Sequence, residues 1–229
     1  MPAPTVRYEF TQGYGANALQ GATIPDLSGN GNTGTVNNIN SSEWLPSSFA
    51  GLLKMNNQSN TGNKTILCPT GITHGDNFSV HIGFQWVQMN GFPCVITGGY
   101  GYGTHDWWIG ANTLGDYVRF SRNGVGLLSS TTTMVNNAYY MIGAVNNYTA
   151  NTTIFKIWRA AGLDTVTTTS AAYPMSTAGR VGICKYGGYT DNFTPNINIG
   201  HFLWWNNAAL SSSELDDISS RYKHKYGLP

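Results

Sequence analysis

The 229-residue chain is poor in charged residues, and this scarcity excludes one class of partner. Asp, Glu, Lys and Arg together make up 10% of the residues, and the formal net charge is +1. A typical soluble domain has about 25% charged residues. Proteins that bind nucleic acids neutralise phosphates with clustered Lys and Arg side chains, which this composition does not supply. The sequence therefore predicts no nucleic-acid partner.

Long apolar runs and cysteines are also scarce. No stretch of about 18 apolar residues occurs, and residues 1–7 lack the basic start and apolar core of a secretory signal. We therefore expect no membrane insertion, and either a mature chain or one that is made and used without Sec export. Cys68, Cys94 and Cys184 are too few and too widely spaced for a disulfide framework or a zinc site. Free buried thiols, typical of a reducing cytoplasm, are expected, with one disulfide plus an unpaired thiol as the alternative.

Glycine and aromatic residues are abundant instead, and they favour turns and strands. The chain has 28 Gly, 13 Tyr and 7 Trp, and 41% of its residues are hydrophobic. The clearest strand signal covers residues 78–86. Every second residue there is a large apolar one: Phe78, Val80, Ile82, Phe84 and Trp86. This period of two predicts a half-buried antiparallel strand.

Turn signals recur about every ten residues, a pattern typical of a β-sandwich or barrel. Further strands are predicted at residues 6–10, 52–55, 65–67, 93–97, 107–111, 117–121, 139–145, 152–158, 180–186 and 197–205. One helix is predicted near the C-terminus, because Ser211 and Glu214 have the spacing of a capping box. Leu215, Ile218 and Tyr222 follow at helical spacing, and Gly227 is expected to end the helix.

Three segments together resemble a known family. They are an Asp-Leu-Ser-Gly-Asn-Gly-Asn-Thr-Gly loop at 26–34, the strand at 52–55, and a strand that leads into the capped helix at 199–214. This order is similar to the laminin G-like branch of the concanavalin A-like lectin/glucanase superfamily. The resemblance implies an all-β, concanavalin A-like jelly-roll sandwich of two antiparallel sheets with one short C-terminal helix. It also implies that residues 1–229 form a single domain.

Catalytic motifs are missing from the sequence. A glycosidase needs two carboxylates about 5–10 Å apart across the scissile bond. Glucanases of the resembled superfamily have a Glu-x-Asp-x-x-Glu strand, and this chain has no such triplet. Neither a Gly-x-Ser-x-Gly nor a His-Glu-x-x-His pattern occurs. We therefore expect no catalytic residues and no enzymatic activity.

Two glycine-rich segments contain the residue types that bind sugars, which are aromatic rings for stacking and polar groups for hydroxyls. The candidate carbohydrate-binding residues are Tyr100, Tyr102, His105, Asp106, Trp107, Tyr186, Tyr189, Asp191 and Asn192. The alternative is that alternate rings belong to the core and the glycines form tight turns. In the pair Trp107 and Trp108 one ring must face inward.

Other polar residues allow metal binding, although each has a simpler explanation. Asp26, Asn30 and Asn32 supply oxygens at alternate positions, a spacing that calcium accepts, and members of the resembled superfamily often hold a structural calcium in such loops. The alternative is a network of Asx turns without an ion. His81, His105 and His201 would form a zinc site only if they converged. The alternative is that each is a hydrogen-bonded residue with a structural role. No cofactor is required, and calcium is the one candidate.

Composition then suggests a function. We expect a non-catalytic surface or structural protein of a bacteriophage virion, either a capsid decoration or a tail component, made in the host cytoplasm. Its partners would be other virion subunits or copies of itself, with weak adhesion to surface glycans multiplied by many copies. The alternative is a secreted, extracellular carbohydrate-binding lectin module. A polysaccharide hydrolase or lyase is the third hypothesis.

Overall fold

Two antiparallel sheets and one C-terminal helix make up the described structure, a computed structural model. The residues that it describes are 1–10, 23–37, 44–45, 52–55, 64–70, 72, 75–88, 94–100, 107–111, 117–122, 126–168, 180–184 and 196–229. The strands in chain order are β1 (Val6–Glu9), β2 (Thr23–Ile24), β3 (Gly34–Asn37), β4 (Trp44–Leu45), β5 (Leu52–Met55), β6 (Thr65–Leu67), β7 (Phe78–Gln88), β8 (Cys94–Tyr100), β9 (Trp107–Ala111), β10 (Tyr117–Arg122), β11 (Gly126–Thr133), β12 (Tyr139–Asn147), β13 (Thr152–Arg159), β14 (Gly162–Thr168), β15 (Arg180–Ile183) and β16 (Asn196–Asn206).

The strands form two sheets of eight within the described part of the chain. The first sheet has the order β14-β13-β12-β7-β16-β5-β4, and β1 pairs with β16 beside β5. The second sheet has the order β11-β10-β9-β8-β15-β6-β3-β2. The neighbouring strands pair antiparallel, as in β7 with β12 and β16. The predicted all-β sandwich with a single short C-terminal helix is therefore confirmed.

The core lies between the two sheets, and β7 contributes to it as its alternation predicts. Phe78, Val80, Ile82, Phe84 and Trp86 are all fully buried in one cluster. The ring of Phe78 stacks on that of Trp107 from the second sheet, with centroids 4.8 Å apart. The period of two along this strand therefore identified the inner face.

The other face of β7 is also buried, and here the expectation of a half-buried strand is wrong. Ser79 and His81 on that face have no exposed surface. Helix α1 (Ser212–Tyr222) packs over this face, and its Leu215 and Ile218 form a second apolar cluster with Leu203 of β16. A strand between the core and a covering helix is buried on both sides whatever its polarity.

The predicted capping box starts α1. The N-cap hydroxyl of Ser211 accepts a hydrogen bond from the backbone N–H of Glu214 at 3.2 Å, and the Glu214 carboxylate accepts one from the N–H of Ser211 at 2.8 Å. A 3-10 helix over Lys223–Tyr226 follows α1 directly. Gly227 then adopts the left-handed conformation with φ 62°, as expected for a residue that ends a helix.

A buried chain of hydrogen bonds ties these helices to the first sheet. Ser219 donates its hydroxyl hydrogen to the carbonyl of Leu215 at 2.9 Å, so its oxygen must accept from Nε2–H of His81 at 2.9 Å. Nδ1 of His81 therefore accepts from Nε2–H of His201 at 2.8 Å. Nδ1 of His201 in turn accepts from the hydroxyl of Tyr226 at 2.6 Å. The single direction of these bonds makes both imidazoles neutral, with the hydrogen on Nε2.

Burial favours the same neutral state. It lowers the pKa of His81 to about 3. The pKa of His201 lies well below its ordinary value because of burial first, and then because of the charges of His81 and Lys225. Two of the three histidines considered as zinc ligands thus meet, but as a hydrogen-bonded pair. No group of three His, Cys, Asp or Glu residues suited to a metal occurs among the described residues.

The described thiols are free and buried, as expected. Cys68 and Cys184 form no disulfide, and burial raises the pKa of Cys68 to about 12. The side chain of Cys94, at the start of β8, lies outside the described residues.

Within the described part of the chain, no helix has the length and apolar character needed to cross a bilayer.

Candidate functional site

The two sheets differ in what lies on their outer faces. Both helices pack on the first sheet, where Leu215 contacts the β12 and β16 side and Tyr226 packs with Met141 of β12. The outer face of the second sheet is therefore the candidate binding surface in the described structure. Strands β8, β9, β10 and β15 form its centre.

Alternation along these strands brings polar and aromatic side chains to the outer face. On β10, Val118 and Phe120 belong to the core, so Tyr117, Arg119 and Ser121 point outward. Cross-strand pairing places further residues in the same row: Trp108 lies opposite Ser121, Thr97 opposite Trp108, and Gly182 opposite Thr97. Arg180 lies two residues before Gly182 and so faces outward as well. We call this surface the β8–β10 face, defined by Thr97, Trp108, Tyr117, Arg119, Ser121 and Arg180.

The β8–β10 face has a buried centre and a more accessible surround. Thr97 has no exposed surface and Trp108 is 4% exposed, whereas Tyr117 is 47% exposed. Arg119, Ser121 and Arg180 are half-buried. The hydroxyl of Ser121 and the guanidinium groups of Arg119 and Arg180 are partly withdrawn from water, and such groups are well placed to exchange hydrogen bonds with the hydroxyls of a ligand. An indole between them supplies an apolar floor.

Trp107, predicted to stack on a sugar, points the other way. It is fully buried, stacked on Phe78, and packed edge-on against Phe120 with centroids 6.3 Å apart. The core alternative therefore describes Trp107, because adjacent residues of a strand face opposite sides of the sheet. Its neighbour Trp108 is the ring that faces outward.

The other candidate residues fall where side chains are not described. Tyr100 ends β8, and its side chain lies outside the described residues. The same holds for the whole of Tyr102, His105, Asp106, Tyr186, Tyr189, Asp191 and Asn192. Their carbohydrate-binding role stays a prediction.

The described residues that precede the two predicted sugar-binding segments lie far apart along β8. Tyr100 pairs with Arg180 at one end of β8, whereas the N–H of Cys184 donates to the carbonyl of Val95 at the other end, at 2.8 Å. Tyr100 and Cys184, the last described residues before these segments, therefore lie at opposite ends of β8. The sequence, which grouped both segments by composition, gave no sign of this separation.

Sequence reasoning missed most of the β8–β10 face. Arg119 and Arg180 were not considered, since isolated arginines form no motif. A signal was nevertheless present in the alternation of residues 117–121, where polar and apolar residues exchange at every step. Applied to this short strand, the same rule that identified the inner face of β7 would have placed Tyr117, Arg119 and Ser121 on one surface.

The loop that was a candidate calcium site is a hydrogen-bonded network. Both Asp26 carboxylate oxygens accept hydrogen bonds: one from the N–H groups of Arg7 and Ser28, the other from the Ser28 hydroxyl and the Asn32 N–H, all at 2.7–2.9 Å. The side-chain amides of Asn30 and Asn32 donate to the carbonyl of Thr5 at 3.2 and 2.8 Å. A calcium ion needs oxygen ligands, but here the carboxylate is occupied by donors and the amides act as donors. These residues do not fit a calcium site, and the Asx-turn alternative accounts for their contacts.

Comparison with known proteins gives structural neighbours only. No family model and no curated protein matches the chain. Among solved structures, a Trypanosoma rangeli sialidase in complex with 2,3-difluorosialic acid has a TM-score of 0.65 at 10% identity, with 96% of this chain and 33% of that chain covered. An arabinofuranosidase complexed with arabinofuranosyl-alpha-1,2-xylobiose has a TM-score of 0.63 at 13% identity, covering 90% and 51%. Domain 4 of AbnA, a GH43 extracellular arabinanase from Geobacillus stearothermophilus, in complex with arabinotriose, has a TM-score of 0.61 at 11% identity, covering 94% and 97%.

These similarities establish the class of fold. At such identities they show the fold alone, a sandwich of two antiparallel sheets. The chain spans about a third of the length of the sialidase and about half of the arabinofuranosidase.

Two predictions from the sequence are wrong in the light of these neighbours. The expected virion protein, whether capsid decoration or tail component, has no counterpart among these structures, which come from carbohydrate-active proteins. The expectation that the chain is not an enzyme is also contradicted, because the neighbours are glycosidases or parts of them. Low charge and abundant Gly do not separate a virion protein from other proteins with the same fold, because a fold does not determine a function.

Proposed function

We propose that the chain is a carbohydrate-binding, lectin-like module whose ligand lies on the β8–β10 face. The observation that carries the proposal is the cross-strand row Thr97–Trp108–Ser121 on the sheet opposite the helix. Arg119 and Arg180 lie beside this row. The motifs at 26–34 and 199–214 further favour the laminin G-like branch of the superfamily.

The chemistry of this face suits a neutral or hydroxyl-rich ligand. Guanidinium groups are fixed donors, and hydroxyls both donate and accept, so together they match sugar hydroxyls. An aromatic ring offers its face to the apolar side of a pyranose or furanose. Tyr117 supplies such a ring at the accessible edge, where it is 47% exposed.

The neighbours support a sugar ligand. Domain 4 of the arabinanase covers nearly the same length as this chain and is a complex with arabinotriose. That oligosaccharide belongs to that protein, but it makes arabino-oligosaccharides a reasonable first probe here. We also propose that the glycan it binds lies outside the cell, on a cell surface or in a plant-type polysaccharide.

A glycan array followed by titration of the hits, with arabinotriose included, tests the proposal. We expect binding in the micromolar to millimolar range. Replacing Arg119 or Arg180 with Ala should weaken it at least tenfold, about 1.4 kcal/mol. Arg159→Ala is the matched control, because Arg159 is a half-buried arginine on the first sheet.

Absence of any signal above background at high protein concentration would contradict the proposal. Equal affinity in all three variants would move the site away from the β8–β10 face. Incubating each bound oligosaccharide with the protein and measuring new reducing ends tests in addition whether the chain hydrolyses what it binds.

A further inference from the structure

A cleft on the first sheet has no part in the proposed sugar site. It lies between β1, β16 and α1 on the opposite side of the molecule from the β8–β10 face, and its volume is about 320 Å³. Its lining includes Arg7, Glu9, Leu203, Ile218, Arg221 and Tyr222. Clefts of roughly 300–1,000 Å³ are of the size that holds small molecules.

Strand pairing explains which side chains line this cleft. Arg7 of β1 lies opposite Leu203 of β16. Because Val6 and Tyr8 point into the core, Arg7 and Glu9 must point outward, toward α1. An ion pair is therefore placed beside an apolar floor.

The floor of the cleft is apolar, and the indole N–H of Trp205 within it has a hydrogen-bond partner. Leu203, Trp205 and Ile218 are each less than 5% exposed and belong to the cluster under α1. Nε1 of Trp205 donates to the carbonyl of Pro2 at 3.0 Å. The floor thus favours an apolar group over water.

The negative charge in the cleft is already compensated. Glu9 accepts from Nε of Arg7 at 2.8 Å and from the hydroxyl of Tyr222 at 2.6 Å. Burial alone would raise the pKa of Glu9, but these hydrogen bonds and the charge of Arg7 outweigh it, so the pKa is below its ordinary value. Glu9 is therefore ionised and paired at neutral pH.

Arg221 leaves the cleft with an excess of positive charge. It is exposed in the last turn of α1 and, in the described part of the chain, takes part in no ion pair. The amino group of Met1 lies 3.7 Å from the Glu214 carboxylate, so that charge is balanced. A ligand that completes the cleft has one negative charge.

We propose that this cleft binds a small monocarboxylate with an apolar body, whose carboxylate pairs with Arg221 and whose body lies on Leu203 and Ile218. A guanidinium binds a carboxylate through two parallel hydrogen bonds, which fixes the orientation of the ligand. The proposal does not depend on sugar binding, because the two sites are on opposite sheets.

The test is an NMR titration of the full chain with 3-phenylpropionate, and with 3-phenylpropan-1-ol as the uncharged match. We expect 3-phenylpropionate to shift the amide signals of Ile218 and Tyr222 in a saturable way and to bind at least tenfold more tightly than the alcohol. Arg221→Glu should weaken binding of the carboxylate at least tenfold. Lys223→Glu is the matched control. It makes the same change of charge just after the end of α1, at a side chain that does not line the cleft, and should change affinity less than twofold.

Three results overturn the proposal. They are no saturable shift at concentrations on the order of 10 mM, equal affinity for the acid and the alcohol, and unchanged affinity in Arg221→Glu. Arg119→Ala serves as the cross-control, since it should weaken glycan binding alone, so that failure of one site is distinguishable from failure of the other. Thermal unfolding of each variant shows that the fold is retained.

Discussion

At the scale of single residues, the two facing histidines are the feature with the clearest consequence. Each ring nitrogen of His81 and His201 has one partner, and all the hydrogen bonds run in one direction from Tyr226 to Leu215. A proton added to Nδ1 of His81 would put two N–H groups face to face, and one added to Nδ1 of His201 would put an N–H against the O–H of Tyr226. The chain of hydrogen bonds therefore requires neutral imidazole rings, and acid should weaken it.

The first prediction concerns pH. The folded pKa values of both histidines are depressed below the ordinary 6.5, so the unfolded state binds more protons as pH falls below 6.5. Stability should be full above 6.5 and fall with decreasing pH by about 1.4 kcal/mol per unit for each histidine. Urea unfolding between about pH 5 and 8 measures this slope.

Neighbouring groups change their protonation in other pH ranges, so the change of stability with pH is caused by the histidines. Burial lowers the pKa of Lys225 to about 8, which affects stability only above that pH, and the pKa of Glu9 is lowered from 4.5, which acts only below that value. His224→Gln is the matched control, because His224 is exposed. The slope should persist in that variant and shrink in His201→Gln. A flat profile between about pH 5 and 6.5 in the native protein would contradict the hydrogen-bond chain.

The second prediction concerns the glycine beside this chain. A Cβ on Gly200 would overlap the hydroxyl and ring of Tyr226. Gly200→Ala should therefore lower the free energy of unfolding by roughly 1–3 kcal/mol, as overpacking of a core does. Denaturant unfolding measures it.

A double-mutant cycle isolates the cause. With Tyr226→Ala present, the added methyl group of Gly200→Ala has space, so the two losses should sum to more than the loss in the double variant. Strict additivity would mean that Tyr226 is not what the new methyl group meets.

At the scale of elements, the start of α1 is determined by a short motif, whereas the Asp26 loop depends on partners far away in the chain. The capping box was recognisable because its chemistry is local: Ser211 and Glu214 satisfy each other's backbone N–H groups within one turn. The long-range partners of the Asp26 loop were not recognisable, because the backbone groups of Arg7 and Thr5 lie 19 and 27 residues away in the chain from Asp26 and Asn32.

The third prediction tests the cap. Ser211→Ala removes the acceptor for the Glu214 N–H and should destabilise the protein by about 1 kcal/mol. Ser220→Ala, on the exposed side of the same helix, should be neutral or slightly stabilising, because Ala is the better helix former. Thermal unfolding compares them, and equal effects of the two substitutions would argue against the capping box.

The fourth prediction tests the Asp26 loop. Asp26→Ala leaves the N–H groups of Arg7 and Asn32 without their acceptor, so the free energy of unfolding should fall by roughly 1–3 kcal/mol. Excess calcium or a chelator should leave the melting temperature of the native protein unchanged, because the loop is complete without an ion. A melting temperature that rises with calcium and falls on chelation would instead restore the calcium hypothesis.

Strand β14 shows why polar residues at the edge of a sheet are difficult to place from the sequence. In β14, Leu163 is 50% exposed, whereas the neighbouring Asp164 points inward and accepts hydrogen bonds from Thr131 and Thr132 of β11. Burial raises the pKa of Asp164, but these hydrogen bonds outweigh that effect and keep it below the ordinary value. The usual pattern of apolar inside and polar outside is thus reversed.

At the scale of the whole molecule, the fold was predictable and the function was not. Alternation along β7 is a strong signal, because this long central strand repeats its pattern over residues 78–86. Which sheet the helix covers, and hence which face is left for a ligand, follows from pairing between strands far apart in the chain. The β8–β10 face and the cleft under α1 are products of that arrangement, and no local motif marks either one.

The most direct test of the account is to map a glycan found on the array, or arabinotriose, onto the protein by NMR chemical shifts. The account predicts that the largest saturable changes fall on the amides of Thr97, Trp108 and Ser121, with α1 unaffected. Changes confined to α1 and β1, or none at any glycan concentration, would contradict it.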